Sequence, residues 1–432
     1  MTDRECGPVI DYAQAMQQVM DAALPLPAET VAIDAAVGRV LAGAVHSTQC
    51  LPPFDNAAMD GFVLATQGGP FATGHEFEVS GWRAAGDAAD VGAGRLASER
   101  ACEIMTGAMV PDGMDAVVPV EHVRILHEDE QGRPRRIRLL QVVRPGQHVR
   151  LRGEDVELGQ AVLEAGRSIG GNEYTLLHAL GITEVTVRVQ PRVAVICTGK
   201  ELLQDPTQAL AAGQIRDSNR PYLVGRLRAA GAEVVWQGTV GDDVAVFGAA
   251  LAQALDAGAQ VIVSTGAVSQ GRYDFIPEAL RALGAHVGFH KVAIRPGKPV
   301  LFAQLADGAA YFGLPGNPLA AAAGQRFFVE PLLRHALGMP AEQPLWLPLA
   351  GGYRKSAGCR FHGCARVGCD AQGRLQVSLL PGQQSFRLMS LVGANAWAAL
   401  PEECTDAGEG SAVMVYGWGH RDPVQVSAAP FE

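Results

Sequence analysis

From Pro191 to about residue 340 the sequence alternates continuous apolar runs with helical patterns of 10–15 residues, and few architectures accept that arrangement. RVAVICTG (192–199) is apolar almost throughout and ends in glycine, as expected of a buried parallel strand. A helix pattern over 218–230 stops at Gly231, which suits a glycine just past a helix end. GAEVVWQGTV (231–240) predicts a second strand, 244–257 a second helix, and AQVIVSTG (259–266) a third strand. A helix over 275–283 closes at Gly284, two strand runs flank Pro296–Pro299, and AAYFGLPGNP (309–318) leads into an Ala-rich helix over 319–337. The expectation is an α/β domain with a mainly parallel sheet, binding its ligand in the loops at the carboxyl edge of the strands.

The rest of the chain is built differently. At 432 residues it is long enough for two to four domains. Residues 9–45 open with a short amphipathic helix pattern carrying Tyr12, Ala15, Met16, Val19 and Met20. Residues 50–150 are rich in Gly and Val and read as a β-rich module, and short strands return after residue 340. Within 124–138 the turn Gln131-Gly132 predicts an exposed hairpin; the sharper reading of Arg133, Arg135, Arg136 and Arg138 is a nucleic-acid patch. A net charge of −10 disfavours nonspecific binding to nucleic acid or an anionic membrane, yet leaves room for a local basic pocket. No stretch approaches the roughly 18 apolar residues of a membrane span. The start MTDRECGPVIDYAQAM lacks a signal-peptide pattern, and eight cysteines in so long a chain do not read as a disulfide framework. A cytoplasmic protein is the expectation.

Four loops at predicted strand ends carry the chemistry: 197–202, 265–274, 291–299 and 313–318. Small residues there let backbone amides approach an oxyanion. Only four of the 35 basic residues are lysines, and Lys291 and Lys298 share one loop with Arg295 around a Pro-Gly turn. Their spacing gives three cations a chance to converge on one anion. Asp242, Asp243 and Asp274 come from loops at the same edge, where carboxylates beside a phosphate pocket commonly hold Mg²⁺. The plainer reading of Asp242-Asp243 is a helix cap followed by a dipole-compensating acid.

Taken together the loops resemble the MoeA-type molybdopterin molybdotransferases, to which the related domain of gephyrin belongs. Pro53-Phe54-Asp55-Asn56-Ala57-Ala58-Met59-Asp60-Gly61-Phe62 is similar to the family's PxFDNSAMDGY signature. Ile104-Met105-Thr106-Gly107-Ala108, Arg152-Gly153-Glu154-Asp155, Arg216-Asp217-Ser218-Asn219 and Pro315-Gly316-Asn317-Pro318 follow in the family's order. The resemblance covers essentially the whole chain, more loosely over its last ~90 residues. It implies a central three-layer α/β/α molybdopterin-binding domain at 191–340, a discontinuous linker and dimerisation domain at 1–49 and 150–190, an inserted β-rich domain at 50–149, and a small β-barrel-like domain at 341–432. It implies insertion of molybdate into adenylylated molybdopterin with Mg²⁺-dependent release of AMP, in a homodimer. Contacts with a molybdopterin adenylyltransferase and with apo-molybdoenzymes are implied as well. By the same resemblance Asp274, Asp242, Lys291 and Lys298 are catalytic, with Mg²⁺ on Asp242, Asp243 and Asp274. Asp60, Thr106 and Arg152 would reach the cleft across the dimer interface, and Thr198, Gly199, Glu201, Ser218, Gly266, Ser269, Arg295, Pro315 and Asn317 would bind substrate.

This sequence departs from the family pattern at three places. Ala267 replaces the second glycine of SGGVSxGxxD, which strains the loop if that position needs a positive φ. Lys200 stands where an acid is usual, beside Glu201, and Arg295 replaces a lysine, changing donor geometry. These changes keep open a degenerate paralogue or a noncatalytic scaffold that binds molybdopterin without turnover. An adenylyltransferase is disfavoured by the segment 53–62, because that enzyme consists of the α/β domain alone. In the C-terminal module Cys359, His362, Cys364 and Cys369 have the residue types of a zinc site but not a standard spacing. Arg360, Arg366, Ser385 and Ser390 are loose candidates for molybdate contacts.

Overall fold

The computed structural model describes residues 9–23, 25–87, 99–267 and 275–427. At its centre, strand β1 (Arg192–Thr198) runs parallel between β2 (Glu233–Val240) and β3 (Val261–Thr265). Helices α1 (Asn219–Ala229) and α2 (Val244–Asp256) join them, and α3 (Ile276–Ala282) leads to β4 (His286–His290), β5 (Leu301–Gln304) and β6 (Ala310–Leu314). The six strands lie in the order β2-β1-β3-β6-β5-β4. β6 continues the parallel set beside β3, while β5 is antiparallel to both neighbours.

The apolar run of β1 is continuous because both faces of the sheet are covered. Val193, Val195 and Cys197 pack with Leu223, Leu227, Phe312 and Phe328 on one side. Ala194 and Ile196 pack with Phe247, Leu251, Leu280 and Tyr311 on the other. Side chains that alternate across a pleat have thus been given two cores, which is the three-layer arrangement expected from the pattern. From β1 the chain passes to β2 on one flank and then crosses to β3 on the other. Their outgoing loops diverge, leaving a crevice at the carboxyl ends of β1 and β3.

The flanking parts are β-rich, as expected. Strand Ala28–Ala32 pairs antiparallel with Glu184–Arg188, so two distant stretches of chain form one unit around the insertion. The inserted segment forms a six-stranded sheet, and its last two strands, Val123–Glu128 and Pro134–Leu139, are the predicted hairpin. The hairpin's arginines are engaged locally: Arg135 with Asp129, Arg136 and Arg138 with Glu76, and Arg133 over the Trp82 ring. These contacts favour a self-paired hairpin face over a nucleic-acid patch.

In the C-terminal sheet, Arg360–Cys369 is a single strand, and its two-residue period parts the proposed zinc ligands. His362 and Cys364 fall on one face and Cys369 on the other, and the His362 ring stacks on Phe327 at 3.9 Å. Among the described residues no group of three or more His, Cys, Asp or Glu side chains could hold a metal ion. Lys355, outside the motif loops, has a structural role: its ammonium donates to the carbonyls of Cys359 and Glu402 at 2.8 and 3.1 Å. Among the described residues no helix is long and apolar enough to cross a membrane.

The Ala-rich helix differs from expectation. It begins as α4 (Pro318–Gly324), widens into a π turn at Gln325–Val329 and resumes as α5 (Glu330–Ala336). This stretch buries Arg326 and Glu330 together with their polar heads, Arg326 bonding Glu342 at 2.6 Å and the Glu330 carboxylate accepting from the His420 amide at 2.7 Å. Burial lifts the Glu330 carboxyl from 4.5 to about 7, against the opposing pull of Arg326 and Arg226. A carboxyl raised by folding contributes stability that is complete below 4.5 and lost as pH rises through about 7. Burial lowers the pKa of His362 and His420, so those two groups add stability as pH rises to 6.5, while Glu330 removes it. Relative to Glu330→Gln the parent is therefore expected to lose unfolding free energy between pH 5 and 7.5. Urea titrations across this range check it; equal slopes for both proteins would mean that Glu330 is already ionised at pH 5.

Candidate functional site

A cavity of about 420 Å³ occupies the crevice at the ends of β1 and β3. Its walls include Thr198, Gly199, Glu201, Asn219, Asp242, Gly266, Ala267, Pro299 and the turn Pro315–Asn317. The Thr198 hydroxyl donates to the Thr265 carbonyl at 3.1 Å, tying the two strand ends together. Gly266 follows at φ +88°, and a Cβ there would stand 2.5 Å from the Thr198 carbonyl oxygen and 2.6 Å from its hydroxyl. Only glycine fits, and its amide donates to Leu314 O at 3.2 Å. The third wall is held from the side: the Asn219 carboxamide donates to Gly316 O at 2.7 Å. Asn317 donates to the Ser385 hydroxyl at 3.1 Å, so a C-terminal loop braces the turn.

The carboxylates divide by role. Asp242 lines the cavity and, among the described residues, accepts a long bond, 3.3 Å, from the Lys200 amide. Asp243 is the cap of α2, one oxygen accepting from the Ala245 and Val246 amides at 2.9 and 3.0 Å. This matches the plainer reading of Asp243 as a helix cap, with Oδ1 committed to the helix amides. Glu201 faces the same space, folded back so that a Cβ on Gly199 would meet its carboxylate at 2.7 Å. Ser269 and Asp274 lie outside the described residues. Ser218 immediately precedes α1 and is not among the lining residues; its neighbour Asn219 is.

The three cations of the Lys291–Lys298 loop do not share one pocket. Residues Ile294–Arg295 form a short strand beside Arg360 and Phe361 of the C-terminal sheet. That pairing carries Arg295 to a second cavity, of about 360 Å³, with Tyr353 and Gly382–Gln384. Lys291 is partly buried and Lys298 exposed, on the stretch leading to Pro299 at the first cavity's rim.

Ala267 has a φ of +50°, so this chain does place an ordinary side chain in the left-handed region. Ala267→Gly is expected to raise stability by about 0.5–1 kcal/mol, the left-handed cost of a Cβ outweighing glycine's entropy. Thermal unfolding reads it; a lower Tm would show that the Ala267 methyl contributes more by packing than it costs.

The N-terminal motifs form their own cluster. Asp60 accepts from the Thr106 hydroxyl at 2.7 Å and its amide at 2.6 Å, which together hold the Asp60 carboxyl below its ordinary range. Asp55 accepts from the Arg152 amide at 2.7 Å, and the Gly107 amide donates to Ala57 O at 2.8 Å. Motifs nearly 100 residues apart in sequence are thus one surface, none of whose residues lines the first cavity.

Models of known families match three successive parts of this chain: the MoeA N-terminal region (domain I and II) over residues 10–181, a probable molybdopterin binding domain over 194–335, and the MoeA C-terminal region (domain IV) over 354–418. The molybdopterin molybdenumtransferase of Synechococcus elongatus is 36% identical, over 91% of this chain and 96% of its own. Molybdopterin molybdenumtransferase 2 of Mycobacterium tuberculosis is 35% identical, over 94% and 98%. The chain belongs to the MoeA family. A solved molybdopterin biosynthesis MoeA protein from Pyrococcus horikoshii superposes at a TM-score of 0.76 and 28% identity, covering 95% of this chain and 99% of that one. For a MoeA-family chain the motif residues and the switch-point cavity now have a common frame. Sequence reasoning passed over Asn219, Gly316 and Pro299 as site residues. The first two sat within quoted motifs, and only the fold shows which motif atom faces the cavity.

Proposed function

We propose that this protein is a molybdopterin molybdenumtransferase that inserts molybdate into adenylylated molybdopterin and releases AMP. The observation that carries the reading is the cavity between β1 and β3, kept open by Gly266 and bearing Asp242 and Glu201 on its wall. Its backbone-rich floor suits phosphate oxygens, while Asn219 fixes the turn at Gly316 instead of filling the space. Arg295, in its separate cavity, supports a second anion seat apart from the one read at Lys291 and Lys298. Two anionic substrates then need not compete for the same cations.

Asp242 and Glu201 fit Mg²⁺, which often takes only one or two protein carboxylates and completes its shell with water and phosphate oxygens. Asp274, by family resemblance, joins them. Bound there, the ion would neutralise charge on the departing AMP phosphate. The chain's own part is to orient the phosphates through the Gly199 and Gly266 loops and to hold Asp242 toward the metal. Asp60, Thr106 and Arg152, which do not line this cavity in one chain, act across the interface of a homodimer in this reading.

The test supplies adenylylated molybdopterin, molybdate and Mg²⁺, then measures AMP and activation of an apo-molybdoenzyme. Both products are expected, and both are expected to be lost with EDTA. Molybdopterin binding without AMP above background would replace this reading with the noncatalytic scaffold.

A further inference from the structure

Lys291 has a φ of +94°, a region that residues with a Cβ avoid, and it opens the loop that holds two of the chain's four lysines. Such a conformation persists only where neighbouring bonds over-determine it. The loop first closes on itself: the Lys291 amide donates to Val300 O at 3.0 Å and the Val292 amide to Lys298 O at 2.9 Å. A second set of bonds comes from the far end of the sequence. The Ile10 amide donates to Lys291 O at 3.3 Å, and Ile10 O accepts from the Ala293 amide at 2.8 Å. Opposite, the Arg360 amide donates to Ala293 O at 2.8 Å.

Ile10 is itself well anchored. It precedes the helix Tyr12–Asp21, capped by Asp11 and buried through Ala15 and Val19. The Tyr12 hydroxyl donates to Phe327 O at 3.2 Å. The helix passes so close to β4 that a Cβ on Gly288 would stand 2.8 Å from the Gln18 carboxamide oxygen. A rigid element therefore delivers one N–H and one C=O to the residues on either side of Val292.

We propose that Ile10 is a positioning residue whose main chain clamps Lys291 in its left-handed conformation and so aims the Lys291 and Lys298 ammonium groups at the anionic substrate. The assignment rests on the reading of Lys291 as an anion-binding group and extends it to a residue that lies in none of the motifs. Because the clamp is made of backbone atoms, a side-chain pattern does not reveal it.

Full-length Ile10→Pro removes the N–H donor and keeps an apolar residue, whereas Ile10→Val keeps both bonds. In calorimetry with molybdate alone, Ile10→Pro is expected to bind about tenfold more weakly, with KM for molybdate rising by the same factor and kcat within about twofold. Hydrogen exchange at the Ala293 amide should quicken, and Ile10→Val should match the parent in every readout. Lys291→Ala should lose at least as much affinity, and in that background Ile10→Pro should cost less than it does alone, the remainder being the share of Lys298. If Ile10→Pro is too unstable to assay, a chain that begins at Asp11 makes the same test. Parent-like molybdate binding by Ile10→Pro beside weak binding by Lys291→Ala would overturn the clamp and leave the anion reading standing. Parent-like binding by Lys291→Ala would overturn both.

Discussion

Gly266→Ala is expected to cost at least 100-fold in AMP release and about 3 kcal/mol of stability. Two costs add. The residue sits at φ +88°, where a Cβ alone costs about 1–2 kcal/mol. The new methyl would also lie 2.5 Å from the Thr198 carbonyl, backbone at the end of the sheet's β1 strand, which cannot turn aside as a side-chain tip can. Either β1 and β3 separate, widening the crevice, or the loop moves and loses the Gly266 amide bond to Leu314. Gly225→Ala is the matched control: it lies exposed within α1 with open space around the added carbon, and should gain about 0.5–1 kcal/mol with turnover unchanged. Urea denaturation and AMP release on the pair check both signs. A Gly266→Ala protein as active as the parent would show that the crevice does not hold the reacting substrate.

Asp242→Asn should lower kcat by about 10²–10³-fold at saturating Mg²⁺ while leaving the fold intact. The substitution keeps size and an acceptor oxygen for the Lys200 amide, now 3.3 Å from the carboxylate, so little structural cost is expected. What it removes is a negative charge on the cavity wall. The Mg²⁺ concentration for half-maximal activity should rise with it. Asp243→Asn, whose side chain can still cap α2, should keep near-parent activity. If the two variants lost activity equally, the division between a metal-facing Asp242 and a capping Asp243 would be wrong.

Much of the centre is legible in the sequence alone, for a physical reason. Strands buried on both faces must be apolar at every position, and Val193–Cys197 advertises that without ambiguity. The crevice is legible too, because carboxyl-edge loops in such sheets carry the ligand. Other parts resisted. The π turn at Gln325–Val329 follows a run of small apolar residues and breaks no helical pattern of its own, so 319–337 reads as one ordinary helix. The Cys359–Cys369 group looked like possible zinc ligands because residue types do not show strand faces. The cations around Pro296–Gly297 looked convergent because spacing is silent about the strand pairing that carries Arg295 to the C-terminal sheet.

The sequence by itself determined the layer architecture, the edge at which the cavity forms and the motif order shared with the MoeA family. These follow from local pattern, since periodicity and glycine placement act within a few residues. Only the tertiary structure decided that Asn219 rather than Ser218 faces the cavity, that Arg295 serves a separate pocket, and that Ile10 stitches the Lys291 loop. Each of these depends on which backbone hydrogen-bonding partner arrives from a distant stretch of chain, and no local pattern of side chains encodes that arrival.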